Sequence, residues 1–292
     1  MSIETADRLQ SEIQSFESVW QGGYYEGEPL DPVGPSSYAE FGYMSVLHAV
    51  YLMVIKPYVT ASSCVLEIGP GRGAWTKTML HAKEVWCLDA KSREANDIDR
   101  YLGYPPNLHY FQVHDFECRD LPYDHFDYLF SFGALCHVSP DGIRAYARNL
   151  FPRLKSGAHA FLMIGDYDKA NLMRANSDQY DVVSRLVRAK TVRALNGVDK
   201  RIARPLGMRA FLWGRLPVRW RLGVERALGS RPLTRTRLRY KDKNEDLMPR
   251  AGRWFHSGVE ETAQMFAECG YTVIAKDVGL VHRDPILHLQ KP

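Results

Sequence analysis

Short apolar runs alternate with helical patterns from about residue 60 onward, and this alternation predicts the fold. The apolar runs predict β-strands at residues 64–68, 85–88, 108–113, 126–132, 158–164, 271–277 and 286–289. The intervening patterns predict helices at residues 74–80, 143–154 and 258–269, the last with Gly270 as its C-cap. Strands that alternate with helices indicate a parallel sheet that is covered on both faces.

The alternating pattern is absent before residue 60 and is interrupted once after it. Residues 1–20 predict a polar helix, and residues 45–56 predict a second helix that Pro57 ends. Between about Asp166 and Arg253 the alternation gives way to helices and loops. We therefore predict an N-terminal helical lid at residues 1–60, an α/β core at 61–166 and 254–292, and a helical insertion at 167–253.

Composition places the chain among ordinary globular proteins. Hydrophobic residues make up 45% and charged residues 25% of its 292 residues. Its five cysteines are scattered and form no Cys-x-x-Cys pair, which argues against a disulfide framework or a zinc site and predicts a cytoplasmic protein. We find no secretory signal pattern, and the apolar run at residues 46–55 is too short to span a bilayer.

Charge is distributed unevenly along the chain. Residues 201–241 contain eleven arginines and one lysine but a single acidic residue, Glu225. This segment therefore carries a charge of about +11, although the net charge of the whole chain is only +4. Such a division indicates an inserted surface segment with its own task.

A glycine loop follows the first predicted strand, in the order Glu67-Ile68-Gly69-Pro70-Gly71-Arg72-Gly73. Glycines allow a sharp turn and close approach to a ligand, and the following helix N-terminus favours a carboxylate or phosphate. The spacing of Gly69, Gly71 and Ala74 also fits a dinucleotide-binding loop. Three features argue against that alternative: the acid before the glycines, their strict alternation, and the long segment before the strand.

The combination resembles motif I of the class I S-adenosylmethionine-dependent methyltransferases, and the order of segments is most similar to bacterial sugar O-methyltransferases. The resemblance covers about residues 60–165 and 257–290. It implies a Rossmann-like, doubly wound, seven-stranded sheet and S-adenosyl-L-methionine as cofactor. It also implies that the amino acid end of the cofactor is held by Glu67 and by the loop glycines Gly69, Gly71 and Gly73.

The resemblance extends to the ends of the next three strands. Asp89 lies where the family has the acid that binds both ribose hydroxyls, and Asp115 with Phe116 lies where it recognises the adenine amino group. Phe132 ends the fourth-strand motif, beside the cofactor. The alternatives are turn or capping roles for Asp89 and Asp115, and core packing for Phe116 and Phe132.

Catalysis of methyl transfer depends mainly on positioning, because the reaction is an in-line displacement. A hydroxyl acceptor also needs a base. His137 follows the fourth strand at the edge where such sheets bind ligands, and an ordinary histidine pKa suits a base near neutral pH. Asp166 after the fifth strand and His256 after the insertion are alternative bases, and His137 could instead serve in packing or capping. No ligand cluster in the sequence indicates a metal.

The basic segment suggests several acceptors. Its arginines are interleaved with Phe211, Trp213 and Trp220, and arginine suits phosphate recognition. It could bind a phosphorylated glycan, a nucleotide sugar, nucleic acid or an anionic membrane surface, or it could simply be a solvated face. We expect a small-molecule or glycan methyltransferase that acts on a sugar hydroxyl; an RNA methyltransferase and a non-catalytic binding protein are the alternatives.

Overall fold

The core of the protein is a seven-stranded sheet. The computed structural model describes residues 3–17, 28–32, 45–170, 172–173 and 254–292. Its strands are β1 Cys64–Ile68, β2 Glu84–Asp89, β3 Leu108–Gln112, β4 Phe126–Ser131, β5 Leu154–Met163, β6 Thr272–Ala275 and β7 Ile286–Gln290. Their order in the sheet is β3-β2-β1-β4-β5-β7-β6. The first five strands pair in parallel and β7 is antiparallel to both neighbours, which confirms the predicted seven-stranded α/β fold.

Six helices of the described residues precede or connect these strands. In the described residues these are α1 Ile3–Glu17, α2 Val46–Val50, α3 Thr76–Met79, α4 Ile98–Leu102, α5 Pro140–Leu150 and α6 Val259–Glu268. A π-helical turn, Tyr51–Ile55, continues α2. Short 3₁₀ turns at Leu135–His137 and Phe151–Arg153 flank α5.

Two hydrophobic clusters cover the two faces of the sheet. One contains Leu66 of β1 together with residues of α1, α5 and α6, such as Leu9, Tyr146 and Phe266. The other contains Val65 of β1 together with Val54, Trp75 and Phe130, and its members come from α2, α3, α4, the turns between elements and the strands. Alternate residues of one strand therefore face opposite layers, which is the arrangement of a sheet buried on both sides.

Several element boundaries differ from the sequence prediction. Helix α5 begins at Pro140 rather than at residue 143, because the Ser139 side chain accepts a hydrogen bond from the Gly142 N–H and caps the helix. Strand β5 begins at Leu154, which the sequence assigned to that helix. Helix α4, only five residues long, was not predicted because too few apolar positions mark it.

The chain separates into two units, Met1–Ala170 with Asp242–Pro292, and Asn171–Lys241. Much of the predicted lid (residues 18–27 and 33–44) and most of the predicted insertion at 167–253 lie outside the described residues, so both assignments remain predictions. Within the described ranges, no helix is long and apolar enough to cross a membrane.

Candidate functional site

The candidate site lies at the carboxyl ends of the parallel strands. The strand order reverses direction between β1 and β4, and open α/β sheets bind ligands in the crevice at such a switch point. The glycine loop follows β1, Asp89 ends β2, and Phe132 follows β4. The residues that the sequence selected as cofactor contacts therefore start from neighbouring strand ends.

The first two glycines of the loop have different surroundings. Gly69 has a φ of +71°, and a Cβ there would lie 2.2 Å from the Cβ of Ala134, in the turn that follows β4. A Cβ on Gly71, whose φ is +53°, would meet no atom within 4 Å. The loop thus touches the β4 turn at one glycine and faces open space at the next.

Asp89 ties the end of β2 to the glycine loop. Its Oδ2 accepts the Gly71 N–H at 3.1 Å and its Oδ1 accepts the Lys91 N–H at 2.9 Å. Burial raises the pKa of Asp89, while these backbone hydrogen bonds act in the opposite direction. A carboxylate offers about four acceptor positions, so Asp89 retains capacity for a ligand hydroxyl.

Glu67 lies beneath the loop. Its side chain is 1% exposed, and its Oε2 accepts a hydrogen bond of 2.7 Å from Thr76 Oγ1, at the start of α3. Burial raises the pKa of Glu67 to about 8, which favours the neutral carboxylic acid at pH 7. This carboxyl group braces α3 against β1, and its predicted contact with the cofactor remains a prediction.

The predicted adenine contacts have clear local roles. Asp115 Oδ1 accepts the Glu117 N–H at 2.8 Å, as expected of a turn residue. Phe116 is 3% exposed and packs edge-to-face on Tyr146, with ring centroids 4.8 Å apart. These contacts favour the alternatives of a turn role for Asp115 and a core role for Phe116.

Phe132 lies in a different environment, at the carboxyl edge of the sheet. Its ring centroid is 4.6 Å from that of Trp75, which follows the glycine loop. Both side chains are buried in the cluster that contains Val65. The pair forms an apolar wall between the end of β4 and the loop after β1.

Residues 254–257, here called the strap, cross the carboxyl ends of β4 and β5. The Phe255 N–H donates to the Cys136 carbonyl at 2.9 Å, and the Ser257 N–H donates to the Gly165 carbonyl at 2.9 Å. A Cβ on Gly165 would lie 2.2 Å from the Phe255 carbonyl oxygen, so only glycine permits this close approach. The strap places His256 beside the segments that carry His137 and Asp166.

Two of the three predicted bases accept hydrogen bonds from backbone N–H groups. Asp166 Oδ1 accepts the N–H groups of Asp168 and Lys169 at 2.8 and 3.0 Å, and its Oδ2 accepts that of Val259 at 3.0 Å. Asp166 therefore caps the start of α6 and the turn after β5, which favours a structural role over the predicted catalytic one. His256 Nδ1 accepts the Tyr167 N–H at 3.0 Å, so its neutral ring carries hydrogen on Nε2 and acts there as a donor.

His137 lies just after β4 at the carboxyl edge of the sheet, and its role as a base remains a prediction. It is half-buried and closes the 3₁₀ turn Leu135–His137, and its N–H donates to the Ala134 carbonyl at 2.9 Å. Ala134 is the residue that touches Gly69. The histidine therefore follows, by one short turn, the backbone that packs on the glycine loop.

Two residues near this edge were missed by sequence reasoning. Asp284, in the turn before β7, is 1% exposed and accepts a 2.5 Å hydrogen bond from Arg283 Nε. Glu12 of α1 is 2% exposed, and its Oε1 accepts the Ser139 N–H at 2.6 Å, two residues after His137. A lone acid in a polar turn or on a polar helix carries no sequence signal, so only the folded chain reveals these contacts.

The profile of the methyltransferase domain family matches residues 48–198, just over half of the 292-residue chain. The chain belongs to the methyltransferase domain family. S-adenosylmethionine is the cofactor of this methyltransferase domain. No curated protein matches the chain.

Solved structures similar to this methyltransferase domain cover it to different extents. The YcgJ protein from Bacillus subtilis is 22% identical over 44% of this chain and 58% of its own, with a TM-score of 0.37. An S-adenosylmethionine dependent methyltransferase from Mesorhizobium loti is 25% identical over 44% and 57%, with a TM-score of 0.36. Magnesium protoporphyrin IX methyltransferase from Synechocystis is 13% identical over 85% and 81%, with a TM-score of 0.44. The chain thus spans somewhat over half the length of the first two.

The residues at the carboxyl edge fit S-adenosylmethionine. The open space at Gly71 leaves room for a ligand beside the loop. Asp89 offers carboxylate oxygens for ribose hydroxyls, and Phe132 with Trp75 offers an apolar surface. The donor set therefore agrees with the cofactor that the family uses.

Proposed function

We propose that the protein transfers a methyl group from S-adenosylmethionine to a hydroxyl of a small molecule or glycan, with a sugar hydroxyl as the first candidate. The observation that carries this proposal is the contact between the glycine loop and the turn that leads to His137. Gly69 and Ala134 approach so closely that a Cβ on the glycine would lie 2.2 Å from the alanine Cβ. A candidate base and a cofactor loop therefore belong to one packed unit.

Bound S-adenosylmethionine supplies an electrophilic methyl group. Asp89 and the loop glycines would hold the cofactor, and Phe132 would limit the apolar side of its site. His137 would take the proton from the acceptor hydroxyl. His256, a donor at Nε2 when neutral, orients the acceptor oxygen, while Asp166 fixes the turn after β5.

The chemistry of the acceptor is suggested by charge. Residues 201–241 carry eleven arginines, and this excess supports an anionic acceptor such as a nucleotide sugar or a glycan on a phosphate carrier. The same excess makes RNA the second candidate acceptor and an anionic membrane surface a further contact. The free thiols of the cysteines support a reducing cytoplasm as the working compartment.

A methyl-transfer screen tests the proposal. The full-length protein is incubated with S-adenosylmethionine labelled on its methyl group and with nucleotide sugars, lipid-linked glycans or RNA, and the label is followed into product. We expect label in a sugar-containing acceptor, with the new methyl on oxygen by mass spectrometry. Transfer to RNA alone would reverse the ranking, and cofactor binding without transfer to any acceptor would favour a non-catalytic binding protein.

A further inference from the structure

Three potential metal ligands meet at the amino edge of the sheet, opposite the candidate methyl-transfer site. Cys64 begins β1, Glu84 begins β2, and His125 immediately precedes β4. One ligand atom from each side chain lies within 4.8 Å of the other two. Here this group is called the amino-edge triad.

The backbone fixes where the three side chains start. Cys64 and Glu84 are register partners in the parallel pairing of β1 and β2. The Cys64 N–H donates to Asp127 Oδ2 at 2.8 Å, and the His125 N–H donates to the Arg153 carbonyl at 2.9 Å. The side chains therefore project from strand starts and anchored backbone rather than from a free loop.

The side chains are also oriented. His125 Nε2 donates to Glu84 Oε2 at 2.9 Å, and Trp86 Nε1 donates to the same oxygen at 3.0 Å. The Cys64 side chain is buried at 3% exposure, whereas the side chains of Glu84 and His125 are 22% and 27% exposed. The triad thus has a buried sulfur and a partly open side through which an ion and a water can enter.

The dimensions suit a small tetrahedral ion. Bonds of about 2.0–2.3 Å from Zn²⁺ to oxygen, nitrogen and sulfur place tetrahedral ligands about 3.3–3.6 Å apart. The separations in the triad, from 2.9 Å for His125 and Glu84 up to at most 4.8 Å, bracket that value. Small side-chain rotations are therefore sufficient to reach coordination distance.

We propose that Cys64, Glu84 and His125 bind one Zn²⁺ ion, with water as the fourth ligand. Thiolate, imidazole and carboxylate are the ligand types that zinc takes in proteins. On binding, the thiol proton of Cys64 passes to solvent and the sulfur donates its electron pair to the ion. The ion clamps the starts of β1 and β2 to the loop before β4, far along the strands from the glycine loop.

Cobalt(II) tests this site because it reports a thiolate ligand spectroscopically. Untagged full-length protein is stripped with a chelator and titrated with Co²⁺, and Zn²⁺ is then added to displace it. We expect one Co²⁺ per chain, a near-ultraviolet thiolate-to-cobalt charge-transfer band, visible bands of tetrahedral cobalt, and loss of both on adding Zn²⁺. Absence of a stoichiometric charge-transfer band in the wild-type protein overturns the proposal.

Matched variants assign the ligands. Cys64→Ser should abolish the charge-transfer band, and His125→Gln should weaken Zn²⁺ binding by at least about 100-fold, since loss of a group that merely supports a ligand costs about 10–100-fold. Cys269→Ser and His109→Gln are the controls; Cys269 is half-buried outside the triad, and the His109 ring lies 4.7 Å from that of Trp86. Circular dichroism checks folding. Wild-type binding in His125→Gln, or loss of the band in Cys269→Ser, also overturns the proposal.

Discussion

At the scale of single residues, the two acids near the glycine loop have different tasks. Glu67 is sealed beneath the loop and hydrogen-bonded to Thr76, so it supports the loop from inside. Asp89 connects the loop to the end of β2 through its bond to the Gly71 N–H. The sequence could indicate both positions because a strand, a glycine loop and the next strand end form a local motif.

Replacement of Asp89 tests the cofactor site. We expect Asp89→Ala to weaken S-adenosylmethionine binding by about 1–3 kcal/mol, because ribose hydroxyls lose a charged acceptor and the loop loses its tie to β2. Isothermal titration calorimetry measures this loss. Asp99→Ala is the control and should retain wild-type affinity. Asp99 lies in α4, and its side chain pairs with Arg93. An unchanged dissociation constant in folded Asp89→Ala would show that the cofactor binds elsewhere.

The base is tested at His137. We expect His137→Gln to lower turnover by about 10²–10⁴-fold while cofactor affinity changes little, because a positioned base contributes that much to proton transfer. His256→Gln should lower turnover less, since its Nδ1 already accepts the Tyr167 N–H. Single-turnover methyl transfer gives both rates. Near-normal turnover in His137→Gln would leave His137 with a packing role only.

At the scale of elements, a continuous apolar run was sufficient to predict a central strand such as β1, because a strand buried on both faces is apolar at successive positions. The helix at residues 143–154 was placed too late because its start depends on the Ser139 cap and Pro140 rather than on apolar spacing. The strap could not be predicted, since its bonds to Cys136 and Gly165 join parts of the chain that are distant in sequence. The amino-edge triad could not be predicted for the same reason, since Cys64, Glu84 and His125 are distant in sequence.

The strap is tested at Gly165. Gly165→Ala introduces a Cβ 2.2 Å from the Phe255 carbonyl oxygen, so the strap must move. We expect a loss of about 1–3 kcal/mol in the free energy of unfolding, typical of overpacking, together with a lower kcat and retained cofactor affinity. Gly157→Ala is the control: it has a positive φ of +81° and no atom within 4 Å, so it should cost stability without lowering kcat. Equal kcat values for both variants would contradict a role of the strap in turnover.

A histidine pair makes the β5–β7 pairing sensitive to acid. His159 Nδ1 and His288 Nε2 lie 2.9 Å apart, and the Tyr58 ring packs on both imidazoles. Burial, and then repulsion from His159, lowers the pKa of His288 to about 4 from an ordinary value of 6.5. The unfolded chain therefore binds the proton more readily between these values, and stability contributed by His288 is lost as pH falls from about 6.5 to about 4.

Replacement of His288 should flatten this dependence. We expect the free energy of unfolding of His288→Gln, from urea titrations at pH 7, 6 and 5, to fall less with acid than that of the wild type. The exposed His282 provides the control, and His282→Gln should keep the wild-type slope. Identical slopes for wild type and His288→Gln would show that other groups govern acid sensitivity.

At the scale of the whole molecule, the sheet separates two kinds of chemistry. Its carboxyl edge carries the glycine loop, Asp89 and His137, whereas its amino edge carries the amino-edge triad. The basic segment at 201–241 falls in the other unit, Asn171–Lys241. Composition could indicate its charge but not its target, since arginine recognises phosphate in nucleotides, glycans, lipids and nucleic acids alike.

Salt dependence separates these targets. If the basic segment recognises an anionic acceptor, the KM of that acceptor should rise with salt, because exposed charges are screened over about 8–10 Å near physiological ionic strength. Neutral replacement of Arg215, Arg219 and Arg221 together should raise the same KM and leave the cofactor Kd unchanged.

For RNA, log affinity should fall linearly with log salt, with a slope of about −0.7 for each phosphate neutralised. A nucleotide sugar has few phosphates to neutralise, so we expect a shallow slope. A steep slope with RNA would make RNA the acceptor, and no response to salt or to the three replacements would make the segment a solvated surface.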